Sequence, residues 1–153
     1  MPKKILLATD GSEEADLAAK AAADLAGEPG SELHVVAVGP EYPLYMLPDN
    51  TGRFQEVFEE GKRQTREVLD EQVRKIEASG ARVERAHQRS GRPDREILAL
   101  ADELGADMVV IGSRGLGGLR RALMGSVSTS VVRHAHCPVL VVREKETGPV
   151  DQS

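Results

Sequence analysis

The 153 residues of this chain suffice for one domain of about average size with a sizeable apolar core. General nucleic-acid binding favours basic faces and aromatic side chains that stack on bases. This composition argues against it, because the 25 acidic residues outnumber the 20 lysines and arginines and there are only two Phe, two Tyr and no Trp. The single cysteine, Cys137, excludes an internal disulfide. Because the sequence shows no signal-peptide pattern and no apolar run long enough to span a membrane, we expect a cytoplasmic protein without a membrane partner.

The first part of the chain alternates between strand and helix patterns. Lys3–Thr9 is an apolar run bounded by Asp10-Gly11-Ser12, which is typical of a buried strand followed by a turn. The alanine-rich segment Glu13–Ala26 predicts a helix that can lie close to a sheet, and Ser12 can cap its start. Leu33–Val38 is a second apolar run and predicts a second strand.

The middle of the chain begins with a loop that contains three prolines and both tyrosines, Gly39–Gly52. We weigh two roles for this loop: a flap that folds over a ligand, or an ordinary surface loop. A long amphipathic helix is predicted next, with apolar residues at helical spacing from Phe54 to Ile76 and a stop at Ser79-Gly80. Arg82–Gln88 alternates and is rather polar, which predicts a weak strand at a sheet edge.

The last part of the chain repeats the same alternation. Pro93 suits the first position of a helix that ends before Gly105. Met108–Ile111 has the pattern of a buried strand, Ser126–His134 that of a short helix, and Pro138–Val142 that of a last strand.

This order of elements predicts one α/β domain over residues 1–144 and a polar C-terminal tail over residues 145–153. Nearly continuous apolar strands separated by helices are typical of a parallel sheet that helices cover on both faces, so we expect a three-layer sandwich. In open parallel sheets, ligands bind beyond the carboxyl ends of the strands, at the point where the strand order reverses.

The segment from Met108 to Arg143 has an unusual charge. It contains five arginines and no acidic residue in 36 residues, whereas the whole chain has a net charge of −5. It also contains the turn Gly112-Ser113-Arg114-Gly115 and, nine residues later, Gly125-Ser126 at the start of a predicted helix. Glycines let the backbone approach a ligand, and amide groups beside arginine or at a helix start attract anions. We interpret this segment as a phosphate-binding site, the alternative being a plain glycine-containing turn.

A carboxylate follows the first predicted strand. If the first and fourth strands are neighbours, Asp10 faces the phosphate-binding segment and can accept hydrogen bonds from the hydroxyls of a ribose. Its alternative role is to cap the first helix. The residues by themselves therefore indicate a phosphate-bearing ligand with a hydroxylated part.

Several side chains could add donors to this site. Of the arginines near Gly115 we select Arg114 as the one that contacts phosphate, and we expect Arg120 and Arg121 to form a solvated face. The hydroxyls of Ser126 and Ser128 can also donate to phosphate, although Ser126 can equally cap its own helix.

The spacing Gly112-x-x-Gly115-x9-Gly125-Ser126 resembles the hallmark of the ATP-binding branch of the universal stress protein family. The resemblance extends to the opening segment Ile5–Ser12, to the strand Leu33–Val38 and to the closing segment Arg133–Val142. It implies a five-stranded parallel sheet in the order 3-2-1-4-5, in which the first and fourth strands are neighbours.

The resemblance also implies a binding site for ATP, or for ADP or AMP in its place, together with Mg²⁺. The residues that it implies around the adenosine are Ala8, Thr9, Asp10 and Val38, the last through its main chain. The residues that it implies around the ribose and phosphates are Ile111, Gly112, Gly115, Gly125, Ser126, Val127 and Ser128. Arg114 stands at a position that varies in the family, so its contact with phosphate is our own inference. Family members commonly form homodimers through the last strand, here Val139–Val142.

Three classes of function are compatible with these features: an ATP-dependent regulatory or signalling module in a stress response, an enzyme that hydrolyses ATP slowly or phosphorylates itself, and a structural stress protein with a relic site. The sequence has no Gly-x4-Gly-Lys-Ser/Thr loop, no Ser-Gly-Gly-x-Asp-Ser loop and no His-x-Gly-His pair, which argues against fast chemistry on ATP. The intact motif glycines and serine argue against a relic. We therefore expect a regulatory module with slow ATPase activity at most.

Overall fold

The computed structural model describes residues 2–41, 52–114 and 125–144. In chain order, the elements in these ranges are β1 (Lys4–Thr9), α1 (Glu13–Leu25), β2 (Glu32–Gly39), α2 (Arg53–Ala78), β3 (Arg85–Ser90), α3 (Pro93–Leu104), β4 (Met108–Gly112), α4 (Ser126–His134) and β5 (Val139–Val142). Outside the described ranges lie most of the loop Gly39–Gly52, for which two roles were weighed, the residues Gly115, Arg120 and Arg121, and the tail over residues 145–153.

The predicted strands and helices are present, and the one large shift concerns β3. This strand begins at Arg85 instead of Arg82 and continues to Ser90, because its pairing with β2 places Arg85 opposite His34 and Ser90 opposite Gly39. As predicted, it lies at an edge of the sheet. The extent of the domain, residues 1–144, stays a prediction.

The five strands form one parallel sheet in the order β3-β2-β1-β4-β5, which confirms the predicted order. β1 pairs with β2 on one side and with β4 on the other. Along the chain, β2 and β3 therefore lie to one side of β1, and after α3 the strands β4 and β5 lie to its other side. The carboxyl ends of β1 and β4 therefore lie side by side at the point where the strand order reverses, which is where ligands bind in such sheets.

Successive side chains of each strand point to opposite faces of the sheet and build two cores. The core under α1 and α2 contains, among others, Ile5, Leu7, Val35, Ala18, Ala22 and Leu69. The core under α3 and α4 contains, among others, Leu6, Val36, Val109, Ile97, Leu100 and Val131. Helices thus cover both faces, as the sequence predicts for a three-layer sandwich. Among the described helices, none combines the length and the apolar character that a membrane span requires.

Candidate functional site

The turn after β1 is held by hydrogen bonds among its own residues. Oδ1 of Asp10 accepts from the Ser12 amide at 3.0 Å, and Oγ1 of Thr9 accepts from the Gly11 amide at 3.2 Å. Gly11 has a φ of 80°, a left-handed conformation that glycine adopts without strain. The cap of α1 is Ser12, whose Oγ accepts from the Ala15 amide at 3.1 Å. Asp10 therefore does not cap the helix but shapes the turn, and its side chain stands at the exposed end of β1.

The Thr9 side chain faces α2, on the side of the sheet opposite to Ala8. Its hydroxyl donates to Oε1 of Gln72 at 2.5 Å, and Nε2 of Gln72 donates to Oδ1 of Asp16 at 3.2 Å. Both Thr9 and Gln72 are buried. These bonds tie β1 to α1 and α2, so Thr9 can line a pocket on the other face of the sheet only through its main chain.

Four residues that the resemblance assigns to the pocket share one face of the sheet. Ala8, Ile111, Val38 and Val127 all belong to the apolar core under α3 and α4. The first two are buried and the last two are half-buried. Ala8, Ile111 and Val38 each lie within the last two residues of a strand, namely β1, β4 and β2, respectively. Val127 lies in the first turn of α4. The fold therefore brings together, at one end of one face, residues that are far apart in the sequence.

The turn after β4 and the start of α4 are joined directly. The Gly125 amide donates to the carbonyl oxygen of Ser113, and the Ser128 hydroxyl donates to the same oxygen at 2.9 Å. The Ser113 amide in turn donates to the carbonyl of Val142 at 2.9 Å. The two halves of the predicted phosphate site thus meet in space, although one amide and one hydroxyl of that site are bonded within the protein.

Among the described residues, no side chain caps the start of α4. Gly125 occupies the cap position with an extended backbone, φ −66° and ψ 161°, and forms no side-chain hydrogen bond to the helix. Ser126 is the first helical residue and is exposed, so the expectation that it could cap its own helix is wrong. The amides of the first helical turn have no intrahelical acceptor, and the positive end of the helix dipole lies beside them. Ser126 and Val127 therefore present the amide groups best suited to an anion here.

Two of the three motif glycines lie in close packing within the protein. A Cβ on Gly112 would lie 3.1 Å from the main chain and the Cβ of Glu14 in the first turn of α1. A Cβ on Gly125 would lie 3.2 Å from the carbonyl oxygen of Ser113. Contacts this short are rare for real side chains, so these glycines have a structural role whether or not a ligand also approaches them.

One residue of this region, Glu14, was not among those predicted from the sequence. Its side chain is only 9% exposed, and its carboxylate accepts hydrogen bonds from the Ser113 hydroxyl at 3.0 Å, from Arg114 Nη2 at 3.1 Å and from the Glu144 amide at 3.4 Å. A signal for its burial was present, because Glu14 precedes the buried Ala18 by four residues and therefore lies on the same stripe of α1.

The contacts of Glu14 also determine its charge. Burial raises the pKa of the Glu14 carboxyl group, but the hydrogen bonds from Ser113, Arg114 and the Glu144 amide, with the positive charge of Arg114, together leave this pKa below its ordinary value. Glu14 is therefore a carboxylate at neutral pH. The same contacts show that Arg114, which we selected as a phosphate contact, is paired with Glu14 in this structure.

Comparisons with known proteins point to one family. The model of the universal stress protein family matches residues 1–143. The universal stress protein MJ0531 of Methanocaldococcus jannaschii is 36% identical over 142 residues, which cover 93% of this chain and 82% of that protein. The solved structure of the hypothetical protein MJ0577 has a TM-score of 0.80 at 28% identity, over 95% of this chain and 98% of that one. The universal stress protein from Archaeoglobus fulgidus in complex with dAMP has a TM-score of 0.67 at 26% identity, over 91% of this chain and 96% of that one.

Proposed function

Because this chain belongs to the universal stress protein family, we propose that it binds an adenine nucleotide, preferentially ATP, at the junction of β1 and β4. The observation that carries this proposal is the convergence of three features at one end of the sheet: the exposed Asp10 carboxylate, the turn after β4, and the start of α4 without a side-chain cap. The complex of the Archaeoglobus fulgidus relative with dAMP supports an adenine nucleotide as the ligand class.

Each part of the nucleotide has a counterpart in this region. The apolar residues Ala8 and Val38, which share one face of the sheet, suit a flat adenine ring, and the Asp10 carboxylate suits the ribose hydroxyls. We assign the phosphates to the amides of Ser126 and Val127 at the positive end of α4. In this assignment Gly125 and Ser128 act indirectly, because their bonds to Ser113 hold the turn against the helix.

We also propose that the bound nucleotide serves as a regulatory signal in a stress response in the cytoplasm. The groups that this end of the sheet offers are amides, apolar side chains and a carboxylate that shapes its own turn. They are groups that bind and orient a ligand, and a ligand that binds one state of a protein more tightly than another shifts the balance between the two states.

A titration of the protein by calorimetry tests the nucleotide proposal. We expect a dissociation constant in the micromolar range for ATP with Mg²⁺, weaker binding of AMP and adenosine, and no comparable binding of GTP, together with negligible release of inorganic phosphate. Absence of binding by every adenine nucleotide would leave the structural role as the better explanation. Rapid phosphate release that is lost in the Asp10→Ala variant would instead establish an enzyme.

We further propose that the protein forms a homodimer through β5. This strand lies at an edge of the sheet, and its four apolar residues Val139–Val142 are only half-buried, so its free edge is suited to pairing with a second copy. The other edge strand, β3, carries Arg85 and Arg89, which discourage such pairing.

Sedimentation velocity tests the dimer. We expect the wild-type protein to sediment with twice the 16.5 kDa mass of the chain, and Val141→Lys to sediment as a monomer because it places a charge at a half-buried position of β5. Ala86→Lys is the matched control, because it places the same charge at an exposed position of β3 and should leave the dimer intact. A wild-type monomer at tens of micromolar protein, or a dimer that only Ala86→Lys dissociates, contradicts the assignment to β5.

A further inference from the structure

The turn that is proposed to receive phosphates stands on a buried negative charge. The Glu14 carboxylate accepts hydrogen bonds from Ser113 and Arg114, which are two of the four residues of the motif turn Gly112-Ser113-Arg114-Gly115. A carboxylate and a phosphate repel each other, and the repulsion is strong where little water separates them. A site selected only for tight binding of phosphate would not be expected to place Glu14 there.

The same carboxylate engages the nearest described cation of the turn. Arg114 Nη2 lies 3.1 Å from Oε1 of Glu14, and the two side chains are only 20% and 9% exposed, so their charges largely cancel. Glu14 lies on the α1 side of the sheet, whereas Ala8 and Ile111 of the proposed pocket lie on the α3 and α4 side. An N–H group that donates to Glu14 does not at the same time donate to a phosphate on the other side.

We propose that Glu14 is an internal counter-ion that competes with the phosphates of the ligand for Arg114 and so lowers the affinity of the site for polyphosphates relative to adenosine. This inference rests on the proposed function, because it concerns the same site. Glu14 thereby tunes how strongly the site distinguishes nucleotides by their number of phosphates, and it keeps the turn in place when no ligand is bound.

The substitution Glu14→Gln isolates the charge from the contacts. The carbonyl oxygen of glutamine can still accept from Arg114 and from the Glu144 amide, as Oε1 does now. The amide group of glutamine can donate to the Ser113 hydroxyl, which accepts hydrogen bonds as readily as it donates them. The variant therefore keeps the geometry of the turn and removes one negative charge.

We expect Glu14→Gln to bind ATP and inorganic tripolyphosphate about fourfold to fifteenfold more tightly than the wild type in calorimetric titrations. Two unit charges about 10 Å apart contribute that much at an effective dielectric constant of about 20 to 40. AMP should gain less, adenosine should not change, and the gain should shrink at high salt. In the background of Arg114→Met the same substitution should produce a smaller gain, because the cation that it releases is absent.

Glu13→Gln is the matched control. It makes the same change of charge one residue earlier in α1, at an exposed position, and should change the affinity for ATP much less. Should Glu14→Gln fold poorly in thermal unfolding, Glu14→Ala replaces it, since the neighbouring buried positions of α1 are already alanine, and the same order of gains is expected.

The outcomes separate this inference from the proposed function. If Glu14→Gln binds ATP no more tightly than Glu13→Gln, or if it weakens ATP and adenosine equally, Glu14 is only structural and the inference is overturned. If the wild type binds no adenine nucleotide but tripolyphosphate binding is tightened by Glu14→Gln, the proposed function fails and the counter-ion role stands. If neither protein binds any of the four probes, both fail.

Discussion

Gly112→Val should destabilise the protein by about 1–3 kcal/mol even when no ligand is present, as is usual when a side chain is forced into a packed interior. The reason is the contact between β4 and α1: a Cβ at position 112 would lie 3.1 Å from the carbonyl carbon, the carbonyl oxygen and the Cβ of Glu14. Two of these are main-chain atoms, so the first turn of α1 would have to move, and the Glu14 contacts with Ser113 and Arg114 would weaken with it. Equilibrium unfolding in urea without nucleotide measures the effect.

The matched substitution is Gly115→Val, at the second glycine of the motif. Position 115 lies outside the described residues, and the sequence motif predicts that a side chain there crowds the phosphates and abolishes ATP binding while the fold survives. The two variants should therefore separate a glycine that the fold requires from one that the ligand requires. A Gly112→Val protein as stable as the wild type would show that the packing of α1 on β4 does not explain this glycine.

Asp10→Ala should lower the affinity for ATP by about tenfold or more, because a hydrogen bond to a charged group contributes about 1.5–3 kcal/mol. The fold should be little affected, since Asp10 is exposed and the cap of α1 is provided by Ser12. Asp10→Asn should fall in between, because an asparagine oxygen can still accept from the Ser12 amide, as Oδ1 does at 3.0 Å, and from a ribose hydroxyl without the charge. Calorimetric titration with ATP measures all three proteins.

Asp24→Ala is the control for this experiment. It removes an exposed aspartate at the other end of α1, far from the carboxyl ends of the strands, and should leave ATP binding unchanged. If Asp10→Ala and Asp24→Ala bind ATP equally well, the carboxylate after β1 is not part of the binding site.

Much of the fold can be predicted from the sequence because its signals are local. The apolar run before Asp10, the alanine stripe of α1 and the proline at the start of α3 each indicate one element within a few residues, and the structure contains all three elements. The alternation of apolar and polar residues is weakest at β3, and the predicted bounds of that strand were the least accurate, since pairing with β2 sets its ends. The strand order was predicted through the family resemblance and is confirmed by the sheet.

For the candidate site, the sequence predicts the position of residues better than their hydrogen bonds. Residues assigned to the pocket by the resemblance, such as Ala8, Val38 and Ile111, do meet on one face at the end of the sheet. Their contacts with a nucleotide stay predictions, as do those of Gly112, Gly115 and Ser126. The sequence carries no sign that the Thr9 hydroxyl is bonded to Gln72, because a polar residue on a helix stripe shows its partner only when the helix is packed.

The sequence by itself determined the kinds of elements, their order, and the placement of a carboxylate and a glycine-containing turn at the ends of two strands, since periodicity and turn chemistry depend on neighbouring residues. Only the tertiary structure decided which polar groups are bonded within the protein. The Glu14 carboxylate and the Ser113 hydroxyl are 99 residues apart in the chain, and the hydrogen bond from the Gly125 amide to the Ser113 carbonyl depends on how α4 packs against the sheet. Hydrogen bonds and ion pairs of this kind depend on distances of about 3 Å that no local pattern encodes.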